Sequence, residues 1–193
     1  YYPGAFFITT KLTFNPEDGT LYGAQCVGHE GVDKRIDQLA IIIKHKGTIY
    51  DLIRLEQAYA PPFSSAKDPI AIAGYTAANI ISGKMPVIYW RDIDGLDRSK
   101  VQIIDTRTPS EFSLGTISGA VNIPVDDIRE RMGEIDKSKP VVTFCAVGLR
   151  GYIAARILMA NGYDVRNLSG GYKTYQLATQ DLQCADGNDD SDD

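Results

Sequence analysis

From Phe6 to Asn15 the residues alternate, with Phe6, Ile8, Thr10, Leu12 and Phe14 on one side and Phe7, Thr9, Lys11, Thr13 and Asn15 on the other. A period of two predicts a strand with one buried face. Residues 20–27 predict a second strand. Asn15-Pro16-Glu17-Asp18-Gly19 between them has turn chemistry, proline restricting φ and glycine accepting a positive value, so the two strands form a hairpin. The period then lengthens. Asp33 is placed to cap a helix whose inner face is Ile36, Leu39, Ala40 and Ile43, and Gly47 stands where a left-handed residue would end it. Thr48-Ile49-Tyr50-Asp51 predicts a capped single turn, and residues 58–67 show no period. Asp68-Pro69 starts an alanine-rich helix over 69–82 that includes Gly74 and stops at Gly83. Its small side chains allow another helix to approach closely.

After Gly83 short apolar runs alternate with helical segments. Strands are predicted at 87–90, 101–105, 120–122, 140–145 and 164–168, and helices near 109–114, 125–134 and 149–161. Thr108-Pro109-Ser110-Glu111 is a capping box with proline at the first helical position. Strand and helix in alternation predict a mainly parallel sheet covered on both faces. The chain therefore reads as α/β, with a boundary at 83–86. A small α+β unit with an antiparallel sheet occupies 1–84, a doubly wound, mainly parallel unit occupies 86–180, and an acidic tail at 181–193 is expected to be disordered. A chain of 193 residues is long enough to build two small cores.

Composition narrows the classes. A hydrophobic fraction of 44% and a charged fraction of 23% are those of an ordinary water-soluble globular protein. No apolar run approaches the roughly 18 residues of a membrane span. The N-terminus has no basic stretch followed by an apolar core, so a cytoplasmic location is expected. The opening Tyr1-Tyr2-Pro3-Gly4, in place of methionine, leads us to expect a piece of a longer chain. The net charge is −5, and the last 13 residues hold six aspartates with no Lys or Arg, which leaves the rest near +1 and no basic surface for nucleic acid. Cys26, Cys145 and Cys184 are odd in number and far apart, so neither a disulfide framework nor paired metal ligands is expected. Two histidines, His29 and His45, are too few and too scattered for a metal site.

In an open parallel sheet, reactive groups collect where strands end and helices begin. Cys145 lies at such a place. The segment Cys145-Ala146-Val147-Gly148-Leu149-Arg150 turns from one strand into the next helix, and Gly148 permits a tight loop whose backbone N–H groups face inward. This is an anion cradle with sulfur at its centre. Lowering a thiol pKa from about 8.5 to about 6.5 requires roughly 2.7 kcal/mol of preference for the thiolate. A helix terminus supplies about 0.3 to 2 kcal/mol, so converging N–H groups and the Arg150 guanidinium must provide the rest. The plainer alternative, from the residues alone, is that Cys145 is a buried strand cysteine.

The wider pattern resembles the rhodanese family. Its cysteine-to-arginine loop matches 145–150. Ile104-Asp105-Thr106-Arg107 with Pro109 and Glu111-Phe112, then Gly119-Ala120-Val121-Asn122-Ile123-Pro124, then Leu168-Ser169-Gly170-Gly171-Tyr172 follow in the family's order. The resemblance implies that Cys145 takes a sulfane sulfur from a donor such as thiosulfate or a persulfide and passes it to a thiol acceptor or cyanide. Arg150 would orient the anionic donor. The six-residue loop separates this chemistry from the related phosphatases, whose loop is one residue longer. Asp105 and Arg107 read either as an ion pair that braces the loop or as substrate contacts, the first being preferred. The chain departs from many relatives at Gly115-Thr116-Ile117, where they have histidine in place of Thr116.

The first half has no dinucleotide loop, phosphate loop or redox cysteine pair. Tyr1-Tyr2-Pro3-Gly4, the segment Gly28 to Asp37 and the segment Ala58 to Ser65 nevertheless resemble the dimerisation domain of coenzyme A-disulfide reductases. These are flavin-dependent pyridine nucleotide-disulfide oxidoreductases, some with a C-terminal rhodanese domain. The resemblance implies a homodimer through residues 1–84, with FAD, NAD(P)H and coenzyme A used by the full-length enzyme and no cofactor bound fully by this part. Two tyrosines of that family, which reach the partner subunit's coenzyme A site, map onto Tyr59 and onto Tyr1 or Tyr2. Each could instead only bury its ring beside proline. The alternative for the whole chain is a non-catalytic dimerisation and partner-binding module. Cys26 falls within a strand and reads as core, and Cys184 lies in the acidic tail.

Overall fold

Strand β1 (Ile8–Phe14) pairs antiparallel with β2 (Leu21–Gly28), Ile8 facing Gly28. The period of two is visible in burial: Ile8, Thr10, Leu12 and Phe14 are half-buried, while Thr9, Lys11 and Thr13 are exposed. The turn closes through Asn15 Oδ1, which accepts from the Glu17 N–H, and through Asp18 Oδ1, which accepts from the Thr20 N–H. The computed structural model describes Gly4, residues 6–62 and 64–186, the last six of these by backbone alone. These fall into two units, Tyr1–Lys84 and Met85–Asp193.

In the first unit helix α1 (Val32–Lys44) starts on Gly31 in the left-handed region. Asp33 is therefore not the cap; it lies in the first turn, where its charge suits the helix dipole. The inner face is the expected one except at Ala40. Arg35 and Leu39 are buried, Ile36, Ile42 and Ile43 pack on the core, and Ala40 is exposed. Arg35 joins this face through a buried ion pair with Asp68 at 2.7 Å. At the far end Lys46, not Gly47, takes the left-handed conformation. Gly47 is needed for space, since a Cβ there would stand 2.6 Å from Ile42 Cγ2.

Helix α2 (Ile49–Arg54) is longer than the single turn expected and is capped by Asp51, whose Oδ2 accepts from the Thr48 N–H and hydroxyl. Helix α3 (Pro69–Ile81) begins at Asp68, whose Oδ1 accepts from the Ile70 N–H. The close approach predicted from its small residues occurs at Gly74, where a Cβ would lie 3.0 Å from the Ile49 carbonyl oxygen. Leu21, Leu39, Ile49, Leu52, Ile70 and Ala77 form the core.

The second unit is a five-stranded parallel sheet of β3 (Val87–Ile88), β4 (Gln102–Asp105), β5 (Ala120–Asn122), β6 (Val141–Phe144) and β7 (Val165–Leu168), in the spatial order β3-β7-β6-β4-β5. Neighbouring residues of one strand serve opposite faces. Ile104 and Val141 belong to one apolar cluster with Ala154 and Leu158, whereas Ile103 and Val142 belong to the other with Phe144 and Leu168. That is why these strands read as unbroken apolar runs. Strand β3 stops at Ile88, short of the expected residue 90, because Trp90 already opens α4 (Trp90–Ile93). Helices α5 (Pro109–Ser113), α6 (Ile128–Arg131, continued by a 3-10 turn over Met132–Glu134), α7 (Leu149–Ala160) and α8 (Gly171–Asp186) complete the unit. Helix α8 was not foreseen. Tyr172 and Tyr175, one helical turn apart, pack against the Phe144 cluster. The helix runs past residue 181, so the acidic tail begins inside it, and residues 187–193 lie outside the described ones.

Candidate functional site

Cys145 directly follows β6, between the buried Phe144 and the loop that leads into α7. Its side chain is buried, and its Sγ accepts a hydrogen bond from the Gly148 N–H at 3.1 Å. The turn that brings this N–H back onto the sulfur requires the left-handed conformation of Gly148, φ 118°. Val147 and Leu149 point outward and are exposed, so the loop offers sulfur from within and apolar side chains at its rim.

The loop is clasped from behind. At the start of α8 the Tyr172 N–H donates to the Cys145 carbonyl at 2.8 Å and the Lys173 N–H to the Ala146 carbonyl at 3.0 Å. Gly171 lies beneath them with φ 64°, and a Cβ there would stand 2.5 Å from the Cys145 carbonyl oxygen, so no other residue fits. Under α7, Asn167 Nδ2 donates to the Gly148 carbonyl and the Thr143 hydroxyl to the Gly151 carbonyl. Gly-Gly in the sequence thus marks backbone packed against backbone.

Arg150, in the first turn of α7, is engaged with a protein partner. Its Nη1 and Nη2 donate to Glu111 Oε2 and Oε1, each at 2.7 Å. The sequence assigned Arg150 to an anionic donor and gave Glu111 only a capping role. Glu111 performs that role as well, its Oε2 accepting from the Thr108 N–H and hydroxyl. The Arg150 hydrogen bonds, aided by Thr108 and opposed by burial, hold the Glu111 carboxyl at about 2. Arg150 is raised in turn, first by Glu111 and to a smaller degree by the Cys145 sulfur beside it. Glu111 is the site residue that sequence reasoning missed as a partner of Arg150. Its signal was a position shared by the capping box and the family motif.

Asp105 and Arg107 form a buried brace next to this loop. Asp105 accepts from the Arg107 N–H, Nε and Nη2, the last at 2.6 Å. Arg107 also donates to the Gly115 carbonyl and lies 4.3 Å from the Tyr172 ring centroid. Thr116, where the family resemblance leads to an expectation of histidine, donates its hydroxyl to Asp105 Oδ2 at 2.8 Å. The departure from the pattern is therefore a hydrogen-bonded member of the brace.

Tyr59 belongs to the first unit and is half exposed. It lines a cleft of about 250 Å3 together with Ser64, Ser65, Lys67, Asp68 and Tyr75. Tyr1 and Tyr2 lie outside the described residues, as does the Cys184 side chain. Cys26 packs on the first core, its Sγ 3.6 Å from the Thr10 hydroxyl. Among the described residues no group of His, Cys, Asp and Glu could hold a metal ion, and no helix is long and apolar enough to cross a membrane. Among the described residues, the two glycine-bearing turns that follow β6 and β7 do not fit FAD or a nicotinamide. The Gly148 N–H of one glycine-bearing strand-to-helix turn is committed to the Cys145 sulfur, and the Tyr172 and Lys173 N–H groups of the other to the loop's own carbonyls.

The rhodanese-like domain model matches residues 93–178, and the pyridine nucleotide-disulphide oxidoreductase dimerisation domain model matches residues 2–71. The reduced CoADR-RHD of Bacillus anthracis superposes with a TM-score of 0.90 at 45% identity, over 94% of this chain and 32% of that one. An NAD-dependent persulfide reductase from A. fulgidus superposes with a TM-score of 0.78 at 36% identity, over 90% of this chain and 31% of that one. A sulfurtransferase of Allochromatium vinosum is 43% identical over 76 residues, 39% of this chain and 71% of that protein. The coenzyme A disulfide reductase of Staphylococcus epidermidis (strain ATCC 35984) is 42% identical over 77 residues, 40% of this chain. The chain spans about a third of the two structures and 18% of that reductase.

Proposed function

The chain belongs to the rhodanese-like sulfurtransferases through residues 93–178 and carries a pyridine nucleotide-disulphide oxidoreductase dimerisation domain at residues 2–71; on that premise we propose that Cys145 is its persulfide carrier. The observation that supports this most is the Gly148 N–H held 3.1 Å from the Cys145 sulfur by a loop that packs around it. The Cys145 thiolate attacks the outer sulfur of a donor. With thiosulfate the S–S bond breaks, sulfite leaves with the electron pair, and a Cys145 persulfide anion remains. With an organic persulfide the leaving group is the thiolate. A thiol acceptor, as its thiolate, then attacks the outer sulfur, forming its own persulfide and restoring the Cys145 thiolate. The backbone N–H is an electrostatic anchor for the anion on either side of the step. Asp105 and Arg107 support the loop from below, and Ala146, Val147, Gly148 and Leu149 form its wall.

In the parent enzyme this step delivers sulfur to a flavin-dependent reductase of coenzyme A disulfide or persulfide, which uses FAD and NAD(P)H on segments that precede residue 1. Residues 1–84 make its homodimer, and Tyr59 with Tyr1 or Tyr2 reaches the coenzyme A site of the partner subunit. A thiol that must remain reduced between turnovers suits the cytoplasm, and Cys26 and Cys145 are both free.

The test is intact mass spectrometry of the reduced chain after exposure to thiosulfate or to a small organic persulfide, beside Cys145→Ser. Gain of one sulfur, absent in the variant and released by cyanide as thiocyanate, is expected. No gain with either donor leaves the chain as a dimerisation and partner-binding module.

A further inference from the structure

Arg150 is the one charged residue of the 145–150 loop, and both of its terminal nitrogens are engaged. A guanidinium waiting for an anionic donor would be expected to face solvent. Here Glu111 occupies it in a two-point fork, the geometry an oxyanion would otherwise take. Glu111 is itself fixed, since the same oxygen that receives Arg150 Nη1 also closes the cap of α5 through the Thr108 N–H and hydroxyl. The carboxylate therefore arrives with a rigid helix start and not with a freely rotating chain. The consequence for the mouth of the loop is a pair with no net charge, rimmed by the exposed Val147 and Leu149.

We infer that Glu111 is a specificity-determining residue, which neutralises Arg150 and so tilts the loop away from dianionic donors such as thiosulfate and toward organic persulfides of low charge. The inference deepens the sulfur-transfer reading and rests on it. Glu111 touches no reacting atom; it acts through Arg150. A dianion approaching an occupied Arg150 must either share it with Glu111 or displace a carboxylate anchored at two points. A donor with at most one charge and an apolar carrier needs neither.

The experiment compares the full chain with Glu111→Gln, reading the rate of one-sulfur gain on Cys145 by intact mass at graded donor concentrations. The donors are thiosulfate and 2-hydroxyethyl persulfide, which carries at most one charge. Freeing a solvent-facing unit charge about 5 Å from a dianion should lower the half-saturating thiosulfate concentration about fifteenfold at low ionic strength. The value for 2-hydroxyethyl persulfide should change by about fourfold or less, the charge product being half or less. An unchanged or reduced preference for thiosulfate in Glu111→Gln overturns the inference.

A second measurement needs no variant. Thiosulfate loading of the unaltered chain should not slow as salt is added, since only the repulsion from the Cys145 thiolate is left to be screened, whereas an unpaired Arg150 would give a rate that falls as the Debye length shrinks from about 30 to about 3 Å. Such a fall overturns the inference even if Glu111→Gln does not fold. If the unaltered chain gains sulfur from neither donor, it is the sulfur-transfer reading that fails, and the inference falls with it.

Discussion

Replacing Asp105 by alanine tests whether the site is held by its buried ion pair. Asp105 is fully buried and accepts from three groups of Arg107 and from the Thr116 hydroxyl. Arg107 is 5% exposed, so Asp105→Ala leaves a guanidinium with almost no access to water. Breaking such a pair by removing one partner costs about 3 to 5 kcal/mol. The Gly115 carbonyl and the Tyr172 ring remain against Arg107 and recover part of this, a desolvated cation–π contact contributing about 0.5 to 2 kcal/mol. The expected net loss is about 3 kcal/mol. Trp90 is the only tryptophan and lies in the second unit, so its fluorescence in a urea titration reports that unit alone. With a slope of about 2 kcal/mol per molar urea, the midpoint should fall by about 1.5 M. Pairing the change with Arg107→Met should restore at least half of the loss, since the uncompensated charge is then gone. A fall of less than about 0.5 M, or no restoration in the double variant, would refute the reasoning that an isolated buried charge is what destabilises.

Gly171→Ala should cost more than the left-handed backbone penalty of about 1 to 2 kcal/mol, because its Cβ would stand 2.5 Å from the Cys145 carbonyl oxygen. The expected outcome is a loss of sulfur gain by at least about tenfold, with a lowered Trp90 melting midpoint. The Glu111–Arg150 pair has a definite pH window. The Glu111 carboxyl is lowered to about 2, so its contribution is complete above the unfolded value of about 4.3 and disappears as pH falls through about 2. Both side chains are about one-third exposed, so this contribution is about 1 kcal/mol or less, and the Glu111→Gln stability difference should be constant from pH 8 to pH 5 and vanish near pH 2. In the first unit Asp68→Ala should destabilise by about 3 kcal/mol, since it strands the buried Arg35 and removes the cap of α3, read as loss of helical circular dichroism in urea. Sedimentation of the chain should give a dimer mass that dissociates on dilution.

Several features were legible in the chain because they depend on neighbours in sequence. The alternation over 8–14 records one dry and one wet face, and the unbroken apolar run at Val141–Phe144 records a strand buried on both. Asp68-Pro69 and Thr108-Pro109 start helices by local hydrogen bonding that needs no other part of the molecule. The place of Cys145, after such a strand and before a helix, follows from the same local rules. Where local rules compete, they misplaced details. Lys46 took the left-handed position expected of Gly47, whose missing Cβ instead makes room for Ile42, and Trp90 opened a helix where the apolar run continued.

What the sequence determined by itself was the order of the strands along the chain, the parallel character of the second sheet and the loop that bears the cysteine, all carried by periodicity, glycine, proline and the spacing of the rhodanese motifs. Only the tertiary structure decided that Arg150 faces Glu111, 39 residues away, that Thr116 belongs to the Asp105 brace, and that Gly171 lies under the Cys145 carbonyl. These contacts join separate strand-to-helix turns at the carboxyl ends of the central strands. Their existence depends on strand order, and a hydrophobic pattern is the same whichever strands become neighbours, so it holds no information about which charged side chain will meet which.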